Sequence, residues 1–166
     1  MTRRNTLLGL GIGSIVAAVA GLRGLLSSES AHAASPKAYE LTRTDAEWKA
    51  QLQPAQYRVL RQAGTEAPNT SPLNKEKRTG TYTCAGCALP LFASNTKFES
   101  GTGWPSFWQA LDKAVVEESD TTLFMKRVEV LCRRCGGHLG HVFDDGPKPT
   151  GLRYCMNGVS LNFKEA

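Results

Sequence analysis

Cys84-Ala85-Gly86-Cys87 and Cys132-Arg133-Arg134-Cys135 are two cysteine pairs with identical spacing. A Cys-x-x-Cys turn points both sulfurs at one position, and two such turns supply the four tetrahedral thiolates that Zn²⁺ prefers. Gly86 and Gly136 give each turn conformational freedom. Four thiolates fill the coordination shell and leave no position for water or substrate. The pairs therefore predict one structural zinc ion that staples the ends of a sheet, with these ligands: Cys84, Cys87, Cys132 and Cys135.

The cysteine pairs have three other interpretations. They could form two disulfides, or one could be a redox-active dithiol, but five cysteines leave at least one thiol over. Cys-x-x-Cys turns, or zinc knuckles, also occur in zinc-ribbon modules that bind nucleic acid. Arg133 and Arg134 would suit a nucleic-acid-binding surface. Two arginines on a knuckle are, however, typical of ordinary solvated surface. The matched spacing favours zinc.

The segments around the pairs predict the fold class. From Gly80 onward they are short, aromatic and β-branched, separated by Gly, Asp, Asn and Pro, as in an antiparallel sheet. The predicted strands are residues 81–83, 114–117, 123–131 and 159–163. Upstream, Thr44 and Glu47 match a capping box, Pro54 can begin a second helix and Gly64 can close it. We predict a mainly β fold: one antiparallel β-sheet domain with two short N-terminal helices, stapled by a four-cysteine zinc site.

Residues 1–33 have the pattern of an export signal. A pair of arginines, Arg3 and Arg4, precedes an apolar run over residues 7–26, and Ala31-His32-Ala33 is a small-x-small cleavage site. The start resembles a twin-arginine signal, which predicts export of a folded domain, residues 34–166, to a bacterial periplasm. The alternative is an uncleaved membrane anchor. In either case the membrane is contacted through this segment alone.

The charge of the chain needs no nucleic-acid partner. The formal net charge of the 166 residues is +5. Loss of the export signal removes three arginines and one glutamate, which lowers the charge to +3. A charge of that size is ordinary for a soluble globular protein.

The fifth cysteine, Cys155, lies outside the matched pairs. On a strand, Arg153, Cys155 and Asn157 share one face. A neighbouring cation favours the thiolate and lowers the pKa of a thiol, so Cys155 is the candidate nucleophile. The alternative is a buried cysteine that acts as a small hydrophobic residue.

Two further segments could complete a site around Cys155. His138 and His141 would point to opposite faces of a regular strand, but a bulge at Gly140 could bring both toward one site. Asp145 and the aspartate before it could orient an imidazole or simply form a turn. Trp104 lies in a Gly/Pro-constrained loop that could line a pocket for an apolar group. Phe107 and Trp108 could equally form a corner packed on the core.

The sequence resembles B-type methionine sulfoxide reductases, which act on the R epimer. Four blocks carry the resemblance, which covers the chain from about residue 39: residues 82–87, 103–107, 132–146 and 151–158. The resemblance implies a shallow, exposed site in which Cys155 is the nucleophile and Trp104 packs against the S-methyl group of the substrate. It also implies a surrounding polar network, formed by His141, His138, Asp145, Asn157 and Arg153.

The resemblance also implies the partners. The substrate is methionine sulfoxide in oxidised proteins or peptides, and the activity repairs oxidative damage. Many relatives carry a second redox cysteine where this chain has Thr102, and the other four cysteines are assigned to zinc. The Cys155 sulfenic acid therefore needs an external reductant, either a small thiol or a thioredoxin- or glutaredoxin-like protein.

Two other functions fit part of the sequence. A zinc-ribbon binding module without catalysis would leave the Trp104 loop and His141 unexplained. A cysteine hydrolase would use Cys155 with a histidine, but it also needs an oxyanion hole and a peptide cleft, for which the sequence has no signature.

Overall fold

The computed structural model describes residues 39–121 and 126–166. The predicted export signal and the residue 34 boundary lie outside these residues. Within the described residues, no helix combines the length and the apolar character needed to cross a membrane. Two helices come first, α1 (Asp45–Gln51) and α2 (Pro54–Gln62).

The remainder of the described chain is built on nine strands. They are β1 (Gly80–Cys84), β2 (Pro90–Ala93), β3 (Lys97–Phe98), β4 (Ser106–Phe107), β5 (Val115–Asp120), β6 (Arg127–Cys132), β7 (His138–Phe143), β8 (Arg153–Met156) and β9 (Leu161–Glu165). One sheet has the order β2-β1-β9 and the other the order β3-β4-β8-β7-β6-β5. Every pairing is antiparallel, so the predicted fold class is confirmed.

The helix ends follow the expected chemistry with one exception. Thr44 accepts a hydrogen bond from the Glu47 N–H at 3.3 Å, and the Glu47 carboxylate accepts one from the Thr44 N–H at 2.7 Å. Pro54 begins α2 as predicted. The prediction for Gly64 is wrong in detail, because Ala63 adopts the left-handed conformation (φ 50°). The Gly64 N–H instead donates to the Arg58 carbonyl at 3.0 Å.

The predicted strands correspond to four of the nine, with shifted ends. Residues 159–163 begin in a 3-10 turn, Gly158–Ser160, before β9 starts. The strand predicted over 123–131 begins at Arg127 in the described residues, and residues 122–125 lie outside them. Neither β3 nor β4 was predicted, because a two-residue strand shows no alternation of apolar and polar residues.

One hydrophobic core joins the helices to the strands. Trp48 of α1 and Leu60 of α2 are buried with side chains from both sheets. Phe107 is fully buried and stacks on Phe92, with 4.4 Å between ring centroids. Phe107 is therefore a core residue, which is one of the two roles considered from the sequence.

Candidate active site and metal centre

The two cysteine pairs form one cluster. Their four sulfur atoms all lie within 4.8 Å of one another, with 3.8 Å between Cys84 and Cys135 and 3.4 Å between Cys87 and Cys132. A disulfide needs about 2.05 Å between sulfurs, whereas thiolates at about 2.3 Å from one tetrahedral ion lie about 3.8 Å apart. All four cysteines are free thiols, so the cluster could hold one metal ion.

The two cysteine turns have the same backbone structure. The N–H of the residue after each second cysteine donates to the carbonyl of the first cysteine at 2.8 Å, from Ala88 to Cys84 and from Gly136 to Cys132. Ala88 (φ 58°) and Gly136 (φ 66°) are both left-handed. The expectation that Gly86 supplies the flexible position is therefore wrong, because the turn requires a positive φ one residue after the second cysteine.

The cluster joins two different sheets. Cys84 is the last residue of β1 in the three-stranded sheet, and Cys132 is the last residue of β6 in the six-stranded sheet. The sequence-based prediction of a metal that links two ends of one sheet is wrong in this respect. The four sulfurs come from both sheets, so a metal bound here would link the two sheets.

Cys155 lies in the middle of the six-stranded sheet. Its neighbours across β8 are Ser106 on β4 and His141 on β7. Tyr154 and Met156 point into the core, whereas Arg153 and Cys155 are only partly buried. The predicted alternation along β8 is therefore present, and it places Cys155 beside His141.

A bulge in β7 brings the two histidines together. Val130 pairs with Gly140 and Leu131 with His138, so Leu139 is an extra residue opposite β6. The His138 and His141 ring centroids are 5.4 Å apart. A Cβ on Gly140 would lie 2.1 Å from the Cys155 carbonyl oxygen, so only glycine allows β7 to approach the nucleophile strand this closely.

The carboxylates that hold the histidines come from β5 and β6. His141 Nε2 lies 2.9 Å from Asp120 Oδ2, and His138 Nδ1 lies 2.6 Å from Glu129 Oε1. The proposal that Asp145 orients an imidazole is wrong, because Asp145 pairs with Arg153. Sequence reasoning missed both carboxylates. The register of β6 and β7 places Glu129 opposite His141, but the carboxylate that bonds His141 is Asp120 and the one that bonds His138 is Glu129.

His138 has a different environment from His141. Its side chain is only 4% exposed, and burial lowers the pKa of the imidazole. The neutral ring then donates from Nδ1 to Glu129, and its buried Nε2 has no hydrogen-bond partner among the described residues. His138 supports the site from behind, and His141 faces it.

A small cleft of about 140 Å³ opens at Cys155. Four of the residues predicted for the site line it, namely Trp104, His141, Cys155 and Asn157. Sequence reasoning missed the rest of its lining: Thr65, Arg127, Gly140 and Phe143. The predicted His138, Arg153 and Asp145 lie beside the cleft and do not line it.

Arg153 forms an ion pair with the Asp145 carboxylate. Its Nε and Nη2 donate to the two Asp145 oxygens, each at 2.8 Å, and its guanidinium carbon lies 4.3 Å from the centre of the Phe143 ring. Burial raises the pKa of the Cys155 thiol, and the opposing effects of Thr102 and Arg153 are smaller. The expectation that Arg153 lowers the pKa of Cys155 overall is therefore wrong.

A buried glutamate outside the sequence predictions joins three parts of the site. The Glu66 carbonyl accepts from Trp104 Nε1 at 3.1 Å, and its N–H donates to Asn157 Oδ1 at 2.9 Å. Its carboxylate accepts from the N–H groups of Gly158 and Val159. Glu66 is 6% exposed, and burial raises the pKa of its carboxyl. Trp104 and the end of β8 are thus fixed by one residue.

The fold and the site define a mainly antiparallel β protein with a four-cysteine metal cluster and one cysteine in a tryptophan- and histidine-lined cleft. The SelR domain family matches residues 52–165. Proteins described as peptide methionine sulfoxide reductase MsrB are similar over most of both chains. The Leptospira interrogans protein is 55% identical over 128 residues, or 76% of this chain and 98% of the relative. Those of Methanosarcina barkeri (58%; 74% and 87% coverage) and Pseudomonas putida (57%; 75% and 95%) are equally similar. The chain belongs to the MsrB family.

Proposed function

We propose that this chain is a peptide methionine sulfoxide reductase that acts on the R epimer through a sulfenic acid on Cys155. One observation carries the proposal: Cys155 lines the same cleft as Trp104 and His141. A sulfoxide reductase needs a thiol nucleophile, an acid for the sulfoxide oxygen and an apolar seat for the S-methyl group. These three residues supply them, which a zinc-ribbon binding module would not require.

The reaction transfers one oxygen atom. The Cys155 sulfur attacks the sulfoxide sulfur, the sulfur–oxygen bond of the substrate breaks, and the oxygen ends on Cys155. The thiol proton is retained on that oxygen, so the products are the thioether of methionine and Cys155 sulfenic acid. The substrate sulfur gains two electrons, and the Cys155 sulfur loses two.

The cleft suits a single side chain presented by a larger molecule. Its volume of about 140 Å³ is below the roughly 300–1,000 Å³ typical of pockets for small-molecule ligands. Trp104 is held by the Glu66 carbonyl through its indole N–H, so its ring offers a fixed apolar surface for the methyl group. This favours methionine sulfoxide within oxidised proteins or peptides as the substrate.

Recycling of the enzyme requires an external thiol. Thr102 Oγ1 lies 3.8 Å from Cys155 Sγ, so the residue at the position of the second redox cysteine of many relatives is a hydroxyl. The other four cysteines are held in the metal cluster. A small thiol or a thioredoxin- or glutaredoxin-like protein attacks the sulfenic acid, releases water and forms a mixed disulfide, which a second thiol then cleaves.

Zinc is the ion that fits the cysteine cluster. Four cysteine sulfurs with no histidine or carboxylate among them suit Zn²⁺ in a closed, structural site, and the spacing of the sulfurs suits a tetrahedral ion. The ion takes no part in the reaction, since its four ligands leave no open position.

We also propose that the protein is exported. Arg3 and Arg4 before an apolar run, with a cleavage site ahead of Ala34, favour twin-arginine transport of the folded domain, residues 34–166, to a periplasm. Fractionation of the host cell with N-terminal sequencing tests this proposal. Recovery of the protein in the cytoplasm with an intact N-terminus would contradict it.

The function is tested by reduction of a peptide that contains racemic methionine sulfoxide, with dithiothreitol as the reductant. We expect the R epimer to be consumed and the S epimer to remain. Consumption of the S epimer, or of neither, would contradict the proposal.

The substitution His141→Ala is expected to lower kcat by about 10²–10⁴-fold, the range for a lost general acid. His141 is held by Asp120 through Nε2, which leaves Nδ1 to pass the Cys155 thiol proton to the sulfoxide oxygen. His141→Gln is the matched variant, because an amide can still bond Asp120 but transfers no proton. Steady-state kinetics of both variants should show similar losses, and an unchanged rate in either would remove His141 from the mechanism.

A further inference from the structure

Three hydroxyl groups form a chain that ends at Cys155. Thr102 Oγ1 lies 3.8 Å from Cys155 Sγ, Ser100 Oγ lies 2.8 Å from Thr102 Oγ1, and Ser106 Oγ lies 2.7 Å from Ser100 Oγ. Ser106 is fully buried on β4, directly opposite Cys155. Its hydroxyl donates to the Trp104 carbonyl at 3.1 Å.

The far end of this hydroxyl chain fixes its direction. Each hydroxyl has one proton to donate. A carbonyl can only accept, so the arrangement that gives the Trp104 carbonyl its donor has Ser106 donating to that carbonyl, Ser100 donating to Ser106 and Thr102 donating to Ser100. Ser100 Oγ also accepts a hydrogen bond from the Thr102 N–H at 3.4 Å, so both lone pairs and the proton of the Ser100 hydroxyl are used. Thr102 Oγ1 then offers only a lone pair to Cys155 and accepts a hydrogen bond from its S–H group.

When Cys155 is a thiolate, the hydroxyl chain must donate a hydrogen bond to the sulfur instead of accepting one. The negative sulfur needs a donor, which Thr102 can supply only by turning its proton away from Ser100. Either the Thr102–Ser100 bond is lost, or all three hydroxyls rotate and the Trp104 carbonyl loses its donor. Ionisation of Cys155 therefore breaks one hydrogen bond within the hydroxyl chain.

We propose that Thr102, Ser100 and Ser106 form a directional hydrogen-bond relay in which the two serines hold the Thr102 proton away from Cys155 at rest, and that the relay reverses when the thiolate forms. This inference rests on the proposed role of Cys155 as the nucleophile. Ser100 and Ser106 are positioning residues, because they act on the sulfur only through Thr102. The two serines therefore weaken the hydrogen bond that Thr102 can donate to the thiolate, and the pKa of Cys155 stays higher than Thr102 alone would make it.

Charged and titratable groups on the neighbouring elements also face Cys155. Arg153 on β8 is paired with Asp145, and His141 on β7 is paired with Asp120. Arg127 on β6 also lines the cleft and bonds Asp120 at 2.7 Å. None of these groups is bonded to the three hydroxyls in the described residues, so serine substitutions in the relay leave them in place.

The relay predicts opposite shifts in the pKa of Cys155. Ser106→Ala and Ser100→Ala should each lower the pKa by roughly 0.7 unit. Ser100→Ala removes the acceptor of the Thr102 proton, and Ser106→Ala removes the acceptor of the Ser100 proton, which can then turn to Thr102. In both variants Thr102 can donate to the sulfur without losing a bond in the chain, and one hydrogen bond of about 1 kcal/mol corresponds to that shift. Thr102→Val should raise the pKa by about one unit, because it removes the donor to the thiolate.

The experiment measures the rate of iodoacetamide alkylation of Cys155 against pH, read at that residue by mass spectrometry on the zinc-loaded protein. Thr96→Val is the control, since it removes a buried hydroxyl bonded to the Ala93 and Gln109 carbonyls outside the relay; it should not shift the profile. In a Thr102→Val background, Ser106→Ala should no longer shift the pKa. Ser100→Ala gives the same test if Ser106→Ala fails to fold.

Unchanged or raised pKa values in both serine variants would overturn the relay. A Ser106→Ala shift of about 0.7 unit in the pKa of Cys155 that persists in the Thr102→Val background would also overturn the relay. Alkylation requires no sulfoxide substrate, so this result is independent of the assay for reductase activity. An enzyme that is inactive on sulfoxide but shows the three shifts would contradict the proposed function and leave the relay standing.

Discussion

Cys155→Ser is expected to abolish methionine sulfoxide reduction while the fold and the metal content are retained. The hydroxyl is far less nucleophilic than the thiol or thiolate it replaces, and loss of the nucleophile in a covalent catalyst costs on the order of 10⁶ in kcat. The partly buried Cys155 side chain contacts Thr102 Oγ1, a hydroxyl that can equally bond a serine. We therefore expect no packing defect.

The measurement for Cys155→Ser is the dithiothreitol-driven assay, with zinc content and thermal unfolding determined on the same sample. The expected result is no turnover, one zinc per chain and an unfolding temperature close to that of the unmodified protein. Appreciable turnover by this variant would mean that another group attacks the sulfoxide.

Cys132→Ser is expected to lose the metal and much of the stability of the domain. The binding free energy of a structural zinc site, about 10–16 kcal/mol in small zinc domains, contributes directly to folding. A whole domain is stabilised by only about 5–15 kcal/mol. Cys132 is fully buried at the junction of the two sheets, so an uncoordinated serine there also leaves a buried polar group without its metal.

The expected readout for Cys132→Ser is less than one zinc per chain and an unfolding temperature lower by more than about 15 °C, if several kcal/mol are lost at roughly 4 °C each. Cys155→Ser is the matched control, because it makes the same chemical change outside the cluster. A Cys132→Ser protein with full zinc and an unchanged unfolding temperature would show that the cluster is not what holds the sheets together.

Several features of the site follow from local sequence rules. The spacing of the cysteine pairs predicts a four-sulfur cluster because each turn is a local structure, and the sulfurs do converge. Alternation along β8 places Cys155 and Arg153 away from the core because side chains in a strand alternate between faces. The bulge expected at Gly140 is present in β7, since two histidines three residues apart can share a face only if the strand is irregular.

Other features depend on contacts between distant segments. Glu66 meets the Asn157 side chain across 91 residues of chain, and Asp120 meets His141 across 21. No local pattern marks either pair. The sign of the Cys155 pKa shift was mispredicted for the same reason, because the sequence shows the nearby Arg153 but not the burial of the thiol or the commitment of Arg153 to Asp145.

We propose that Cys155 is oxidised to a sulfenic acid that no cysteine of this chain resolves. This proposal is tested by single-turnover chemistry: reduced enzyme is mixed with excess methionine sulfoxide peptide without a reductant, then trapped with dimedone. A matched Thr102→Cys variant places a thiol at the residue that contacts Cys155.

We expect about one methionine per chain, a dimedone adduct on Cys155 and retention of zinc. In Thr102→Cys, an internal disulfide should replace the adduct, provided that the two Cα atoms lie within about 7 Å. A disulfide in the unmodified enzyme between Cys155 and any of the four cluster cysteines, with zinc released at the rate of turnover, would show that a cluster cysteine resolves the sulfenic acid.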